Sequence, residues 1–181
     1  LRRLRCRRFV RYHNITPPHF FDANTEAHKG TSRGYAQIAE IVEQFDLLIG
    51  DSNYNVDQLR PYLKSRKPAL CIYPIAEQQD IASLPHDPAL VSRIKSSGSV
   101  HLVFVGRIAR NKRQDLLLKL FEYYYDQIDH GTHLWLVGNE HLDPVYRREL
   151  QEQHRRLSGK DNVHFVGKVS DREVASYMLA A

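Results

Sequence analysis

Val100-His101-Leu102-Val103-Phe104-Val105-Gly106 opens the most regular part of the chain. Its β-branched and aromatic residues, closed by a glycine, read as a buried strand that ends in a turn. The same pattern returns twice, as Thr132 to Val137 before Gly138 and as Val163-His164-Phe165-Val166 before Gly167. Helical spacing follows each run. After the first, Leu116, Leu120, Tyr124 and Ile128 are expected to face the core. The second helix opens on Asp143 as N-cap and Pro144 at the first helical position. The third opens on the capping box Ser170-Asp171-Arg172-Glu173. Strand, glycine and helix repeating at roughly 30 residues is the βαβ pattern of a parallel, doubly wound sheet. The fold class is α/β.

Upstream, the same alternation is looser. Phe9-Val10-Arg11-Tyr12 reads as a strand ending at His13-Asn14, and Ile15-Thr16-Pro17-Pro18 as a loop. A helix is expected from Ser32 to Phe45, with Tyr35, Ile38, Val42 and Phe45 inward. Leu47-Leu48-Ile49-Gly50 is the next strand, turning at Asp51-Ser52. A short helix carrying Val56, Leu59 and Leu63 follows, then a strand over residues 69–73. Pro74, Pro85, Pro88 and Ser96-Ser97-Gly98 suggest a linker. The expected organisation is one domain over residues 1–74, a linker over 75–98 and a second domain over 99–181.

The sequence has 181 residues, 42% hydrophobic and 26% charged, in the range of ordinary globular proteins. A net charge of +5 suits an anionic partner, although much of the excess sits in Arg2, Arg3, Arg5, Arg7 and Arg8, where solvation accounts for it. Two cysteines without a CxxC pair suggest a reduced, cytoplasmic chain. The ten histidines show no HExxH or other ligand spacing, so neither a metal nor another cofactor is expected. No aromatic-basic interleaving points to single-stranded nucleic acid.

In open α/β sheets ligands bind beyond the carboxyl ends of the strands. Gly106-Arg107, Gly138-Asn139, Gly167-Lys168, His13-Asn14 and Asp51-Ser52 are the candidates there. Gly106 allows a close turn under a ligand. The planar fork of Arg107 matches phosphate oxygens, and Lys112 adds a point charge as the next helix begins. The pattern lacks the further glycines of a dinucleotide fingerprint. It also differs from a P-loop, having Asn111 before the lysine and Arg113 after it.

Val105-Gly106-Arg107-Ile108-Ala109-Arg110-Asn111-Lys112-Arg113-Gln114-Asp115 resembles the donor-site motif of retaining glycosyltransferases of family 4, the group 1 glycosyltransferases. Tyr12-His13-Asn14-Ile15-Thr16-Pro17-Pro18-His19-Phe20-Phe21, Gly50-Asp51-Ser52-Asn53-Tyr54-Asn55 and Phe165-Val166-Gly167-Lys168-Val169-Ser170-Asp171 are similar to segments of one bacterial branch, in the same order. The resemblance implies the GT-B fold, two Rossmann-like domains, and transfer of a hexose from a nucleotide sugar with retention, in polysaccharide biosynthesis. It implies that Gly106, Arg107 and Lys112 hold the donor diphosphate and that Gly138, Lys168 and Val169 lie near the nucleobase. His13 would be the catalytic residue near the transferred sugar, with Asn14 and Ser52 on the acceptor side. The implied acceptor is a glycan or lipid-linked sugar, met in the cytoplasm or at the inner face of its membrane through peripheral association. The family's paired glutamates would lie beyond Ala181 and its acceptor-domain glycine loop before Leu1. An internal piece, inactive alone, is therefore expected. The competing reading is a noncatalytic nucleotide- or nucleic-acid-binding α/β module.

Overall fold

The computed structural model describes residues 5–74, 80–139 and 143–181. Arg2 and Arg3 of the basic start, and residues 75–79 of the expected linker, lie outside them. The chain divides into two compact units, residues 1–77 and 78–181.

The first unit carries a three-stranded parallel sheet in the order β1-β2-β3, with β1 at Phe9–Tyr12, β2 at Leu47–Gly50 and β3 at Ala69–Cys71. Alternation along the strands puts Val10, Tyr12, Leu48 and Ala69 on one face. There they pack with Val42 and Phe45, which follow helix α1 (Glu26–Ile41), and with Leu59 of helix α2 (Asn53–Leu59). The opposite face carries Phe9, 67% exposed, and Leu70, 50% exposed. The first helix begins six residues before its expected start, because Thr25 caps it by accepting from the His28 amide. Gly30, Thr31 and Ser32 are poor helix formers that hide this extension. Cys6 and Cys71 are free thiols.

The second unit begins with helix α3 (Pro88–Lys95), followed by strand β4 (Val100–Val105), helix α4 (Gln114–Gln127), strand β5 (Thr132–Val137), helix α5 (Pro144–Arg156), strand β6 (Val163–Gly167) and helix α6 (Asp171–Ala180). The strands are parallel in the order β4-β5-β6. Leu102, Phe104, Leu134, Leu136, Val163 and Phe165 pack on one face with Leu118 and Phe121 of α4 and Tyr146 and Leu150 of α5. Val103, Trp135, Val137 and Val166 pack on the other with Leu90 and Ile94 of α3 and Tyr177 and Ala180 of α6.

Two expectations are corrected here. Residues 88–95 are no linker. Asp87 caps a helix there by accepting from the Ala89 and Leu90 amides, with Pro88 opening it, and the helix belongs to the second core. The inward face of α4 is also out of phase with the expected one. Leu116, Leu120 and Ile128 are exposed, whereas Gln114, Leu118 and Phe121 are buried.

The α3/α6 face also holds three histidines, one per strand. His101 is in register with His133, and the His133 and His164 rings are joined by a 2.8 Å Nδ1 to Nε2 hydrogen bond. Trp135 stacks on His164 with centroids 4.0 Å apart. Burial first, then the neighbouring histidines, push the His164 pKa down to about 4.

Candidate functional site

In the second unit three glycines end the three strands, and all have positive φ: 154° at Gly106, 150° at Gly138 and 80° at Gly167. They are knitted together through the backbone. The Gly106 amide donates to Val137 O at 2.9 Å, and the Gly138 amide donates to Gly167 O at 2.8 Å. A Cβ on Gly138 would fall 1.8 Å from the Gly106 oxygen, so no side chain fits there.

The loop from Gly106 to Lys112 is fixed by a residue that motif reading passed over. Gln114 is fully buried. Its amide nitrogen donates to Arg107 O at 3.0 Å, and its amide oxygen accepts from the Ala109 amide at 3.3 Å. One side chain thus satisfies both backbone groups that the turn leaves open. The Ile108 amide donates to Asn139 O at 3.0 Å, tying this loop to the next.

Four basic residues occupy positions 107–113, and the structure separates them into two pairs. Arg110 donates to Glu149 at 2.8 Å, lies 3.7 Å from Asp143 and sits over the Tyr146 ring. Arg113 holds Asp115 through two bonds, at 3.0 and 2.8 Å. The hydrogen bond from Arg113 keeps the Asp115 carboxyl below the usual carboxylate range. Arg107 and Lys112 are exposed, and neither side chain has a hydrogen-bonding or acidic partner among the described residues. Lys168 is exposed beyond β6, while the side chain of Val169 packs into the α3/α6 core. Only the backbone of Val169 is thus free for a ligand.

In the first unit the strand ends are organised by side chains instead. The pairing of Tyr12 with Gly50 sets residue 13 beside residue 51. Asp51 accepts from Arg11 Nε at 2.8 Å through one oxygen and meets His13 Nδ1 at 2.5 Å through the other. Asp51 is 17% exposed and His13 64%. Burial pushes the Asp51 carboxyl up, but the bonds from Arg11 and His13 outweigh it and hold the group below its ordinary value. Asn14 adopts a left-handed conformation, φ 81°. Ser52 accepts from the Asn55 amide and so caps α2, a structural duty in addition to its expected place on the acceptor side. Asn55, buried, donates to Tyr12 O at 3.4 Å. A Cβ on Gly50 would meet Val56 N at 2.8 Å, so this turn also requires glycine. The sequence reading gave Arg11 no part in a site, and quoted Asp51 and Gln114 within its candidate segments without a role for their side chains. The only sequence signal was Arg-x-His on one strand, which puts both side chains on one face.

Among the described residues no three His, Cys, Asp or Glu side chains come together in a metal-holding group. None of the described helices is long and apolar enough to cross a membrane.

Known structures of similar fold include HepE, a sucrose-phosphate synthase and the glycosyltransferase WaaG. HepE from Anabaena, solved with UDP and glucose, superposes with a TM-score of 0.68 at 19% identity, over 96% of this chain and 44% of its own. Sucrose-phosphate synthase from Thermosynechococcus elongatus gives 0.66 at 20% identity, over 96% and 42%. WaaG, a glycosyltransferase involved in lipopolysaccharide biosynthesis, gives 0.58 at 16% identity, over 88% and 42%. The chain therefore spans less than half the length of these proteins, and the shared fold is that of the GT-B glycosyltransferases. A comparison with curated proteins finds no significant match. Residues 92–181, which hold the glycine-ended strands and the Arg107 loop, match the family model described as glycosyl transferases group 1.

Proposed function

We propose that the chain joins the end of an acceptor-binding domain, residues 1–74, to the start of a nucleotide-sugar-binding domain within a retaining hexosyltransferase. The division among the four basic side chains of positions 107–113 carries this reading. Arg110 and Arg113 are neutralised by acids, whereas Arg107 and Lys112 stand exposed beside Gly106, without partners among the described residues, beyond the carboxyl end of β4. When the bond from the anomeric carbon to the diphosphate breaks, its electron pair leaves with the phosphate oxygens. A fixed guanidinium and an ammonium there stabilise the charge that develops. Gly106 lets the backbone approach the same group. The backbone near Gly138, Lys168 and Val169 faces the nucleobase, and His13 contacts the sugar. Asn14 and Ser52 line the side of a glycan or lipid-linked acceptor, reached from the cytoplasm at the inner membrane face. The family match and a fold shared with a protein solved with UDP and glucose support a nucleotide sugar as donor. Nothing in the chemistry proposed for these residues calls for a metal or cofactor.

Calorimetry with a nucleoside diphosphate tests the clamp. A charge-assisted hydrogen bond contributes about 1.5–3 kcal/mol, so Arg107→Ala and Lys112→Ala should each weaken binding by roughly 10- to 150-fold. Arg113→Ala, whose guanidinium is already occupied by Asp115, should change it little. Unchanged affinity in both Arg107→Ala and Lys112→Ala would overturn the donor-site assignment.

A further inference from the structure

Arg11 on β1 and His13, the residue just after that strand, both reach Asp51, which follows the neighbouring strand β2 at the level of His13. The three side chains form a row in which each holds the next. Asp51 is fixed from three directions, by Arg11 Nε on one oxygen, by His13 Nδ1 on the other and by its own amide, which donates to Tyr12 O at 3.4 Å. The imidazole is mostly exposed, and an exposed histidine without such a partner would exchange freely between rotamers and between its two neutral tautomers. A carboxylate can only accept. Its contact at 2.5 Å with Nδ1 therefore places a proton on Nδ1. In the neutral ring the lone pair is then on Nε2, the atom not engaged by Asp51.

We infer that Asp51, held by Arg11, is a positioning residue that fixes His13 as the Nδ1–H tautomer and presents Nε2 as a hydrogen-bond acceptor to a substrate hydroxyl. The inference rests on the reading of His13 as a sugar-contacting residue and adds the direction of that contact. The substrate hydroxyl donates and the ring accepts. Arg11 does no chemistry on the sugar. It occupies the second carboxylate oxygen, so that the first cannot rotate away from the ring. The chemical consequence is selectivity for a group that can donate. A deoxy or fluorinated position on the sugar would lose the contact, since fluorine supplies no proton.

Two measurements separate this inference from the reading beneath it. The first uses the 181-residue chain and needs no substrate. Nitrogen-15 NMR of His13 at pH 8 should show Nδ1 protonated and Nε2 bare, and Asp51→Asn should shift the ring toward the other tautomer. A single side-chain oxygen in the variant cannot serve both Arg11 and Nδ1–H, and its amide donates instead. A wild-type ring carrying its proton on Nε2, or an Asp51→Asn spectrum identical to wild type, would overturn the inference whatever His13 does in catalysis. The second uses the full-length polypeptide that bears this sequence. There His13→Ala and Asp51→Asn should each lower kcat about 10- to 100-fold with nucleotide affinity unchanged. The double variant should be no slower than His13→Ala alone. Undiminished kcat in His13→Ala would remove the underlying reading. A slow His13→Ala beside a fully active Asp51→Asn would remove only the role of Asp51. If Asp51→Asn folds poorly, Arg11→Gln provides a second route and should show the same tautomer shift in smaller proportion.

Discussion

The two units contain the same sheet, three parallel strands in sequential order, and finish it differently. The second unit covers both faces, with α4 and α5 on one and α3 and α6 on the other. Among the described residues the first covers one face only, and its longest helix, α1, has no fully buried residue. Parallel sheets are ordinarily buried on both sides. The strand ends differ as well. In the second unit they are shaped by backbone, with the Gly106 amide bonded to Val137 O and the Gly138 amide to Gly167 O, whereas in the first they are shaped by Arg11, Asp51 and His13. The backbone-built edge leaves two of its four basic side chains, Arg107 and Lys112, without a hydrogen-bonding or acidic partner among the described residues. A side-chain-built edge spends its charges on holding one ring in place.

The largest test of this difference is on stability. Leu48 and Leu134 are both fully buried in their sheets, and truncation of such a residue costs about 2–5 kcal/mol. In the second unit Leu134→Ala should lower the melting temperature and leave a cooperative transition. In the first, Leu48→Ala should remove cooperative unfolding altogether. Hydrogen exchange resolved by segment would show it, and equal protection of the two variants would mean that the open face costs nothing.

Gly138→Ala should come next. The methyl would meet the Gly106 oxygen at a φ of 150°, and strain together with forced displacement costs about 3–4 kcal/mol. Nucleoside diphosphate binding should fall with the melting temperature, because the displaced atoms adjoin Arg107. A stable variant with normal affinity would show that the backbone edge is less rigid than it looks.

Arg113 sharpens the comparison on a smaller scale. It sits at φ 55° without being glycine, offset by its double bond to Asp115. Arg113→Gly loses the ion pair but relieves the backbone, whereas Arg113→Ala loses the pair and keeps the strain. The alanine variant should therefore be the less stable by about 1 kcal/mol, read by urea denaturation. The reverse order would place the value of Arg113 in its stem packing.

The smallest effect is a pH dependence confined to the second unit. The His164 pKa is lowered from an unfolded 6.5 to about 4 in the fold. Between those values the unfolded chain binds the extra proton. Stability is thus full above the upper value, declines as pH falls, and levels off below the lower one. For a partly exposed ring the loss is discounted for solvent screening to about 1 kcal/mol. His164→Phe, which keeps a ring against Trp135, should flatten that slope in the second unit and leave the first unit unchanged. An unaltered slope would assign the acid sensitivity to other groups.

All six strands were legible, since β-branched runs ended by Gly or a polar turn leave little choice. The helices were less so, for specific reasons. Asp87-Pro88 carries the same start signal as Asp143-Pro144, but prolines at 74 and 85 and a serine-glycine cluster around it favoured a linker. The α4 sequence Leu116-Leu117-Leu118-Lys119-Leu120-Phe121 is apolar around most of its circumference, so spacing alone does not fix its phase. The residue that does is Gln114, a polar side chain buried for its hydrogen bonds. At the sites, Arg107 and Lys112 could be named from the motif. Their distinction from Arg110 required Asp143 and Glu149, 33 and 39 positions away, whereas the partner of Arg113, Asp115, lay within the motif itself. Asp51 could not be joined to His13 without the register of two strands.

Gln114 has one further consequence. Because its amide bonds Arg107 O and Ala109 N, the loop of the proposed diphosphate site is held in place without a ligand. On the proposed function, the entropy lost on binding is then confined to the long side chains of Arg107 and Lys112, about 0.5–1.5 kcal/mol each. Association needs no loop closure to wait for. Its rate should follow the attraction between two exposed cations and a polyanion, fast at low ionic strength and slowing as salt screens them. Replacing Gln114 with leucine would convert that encounter into one gated by loop motion, with a rate that depends less on salt than on temperature.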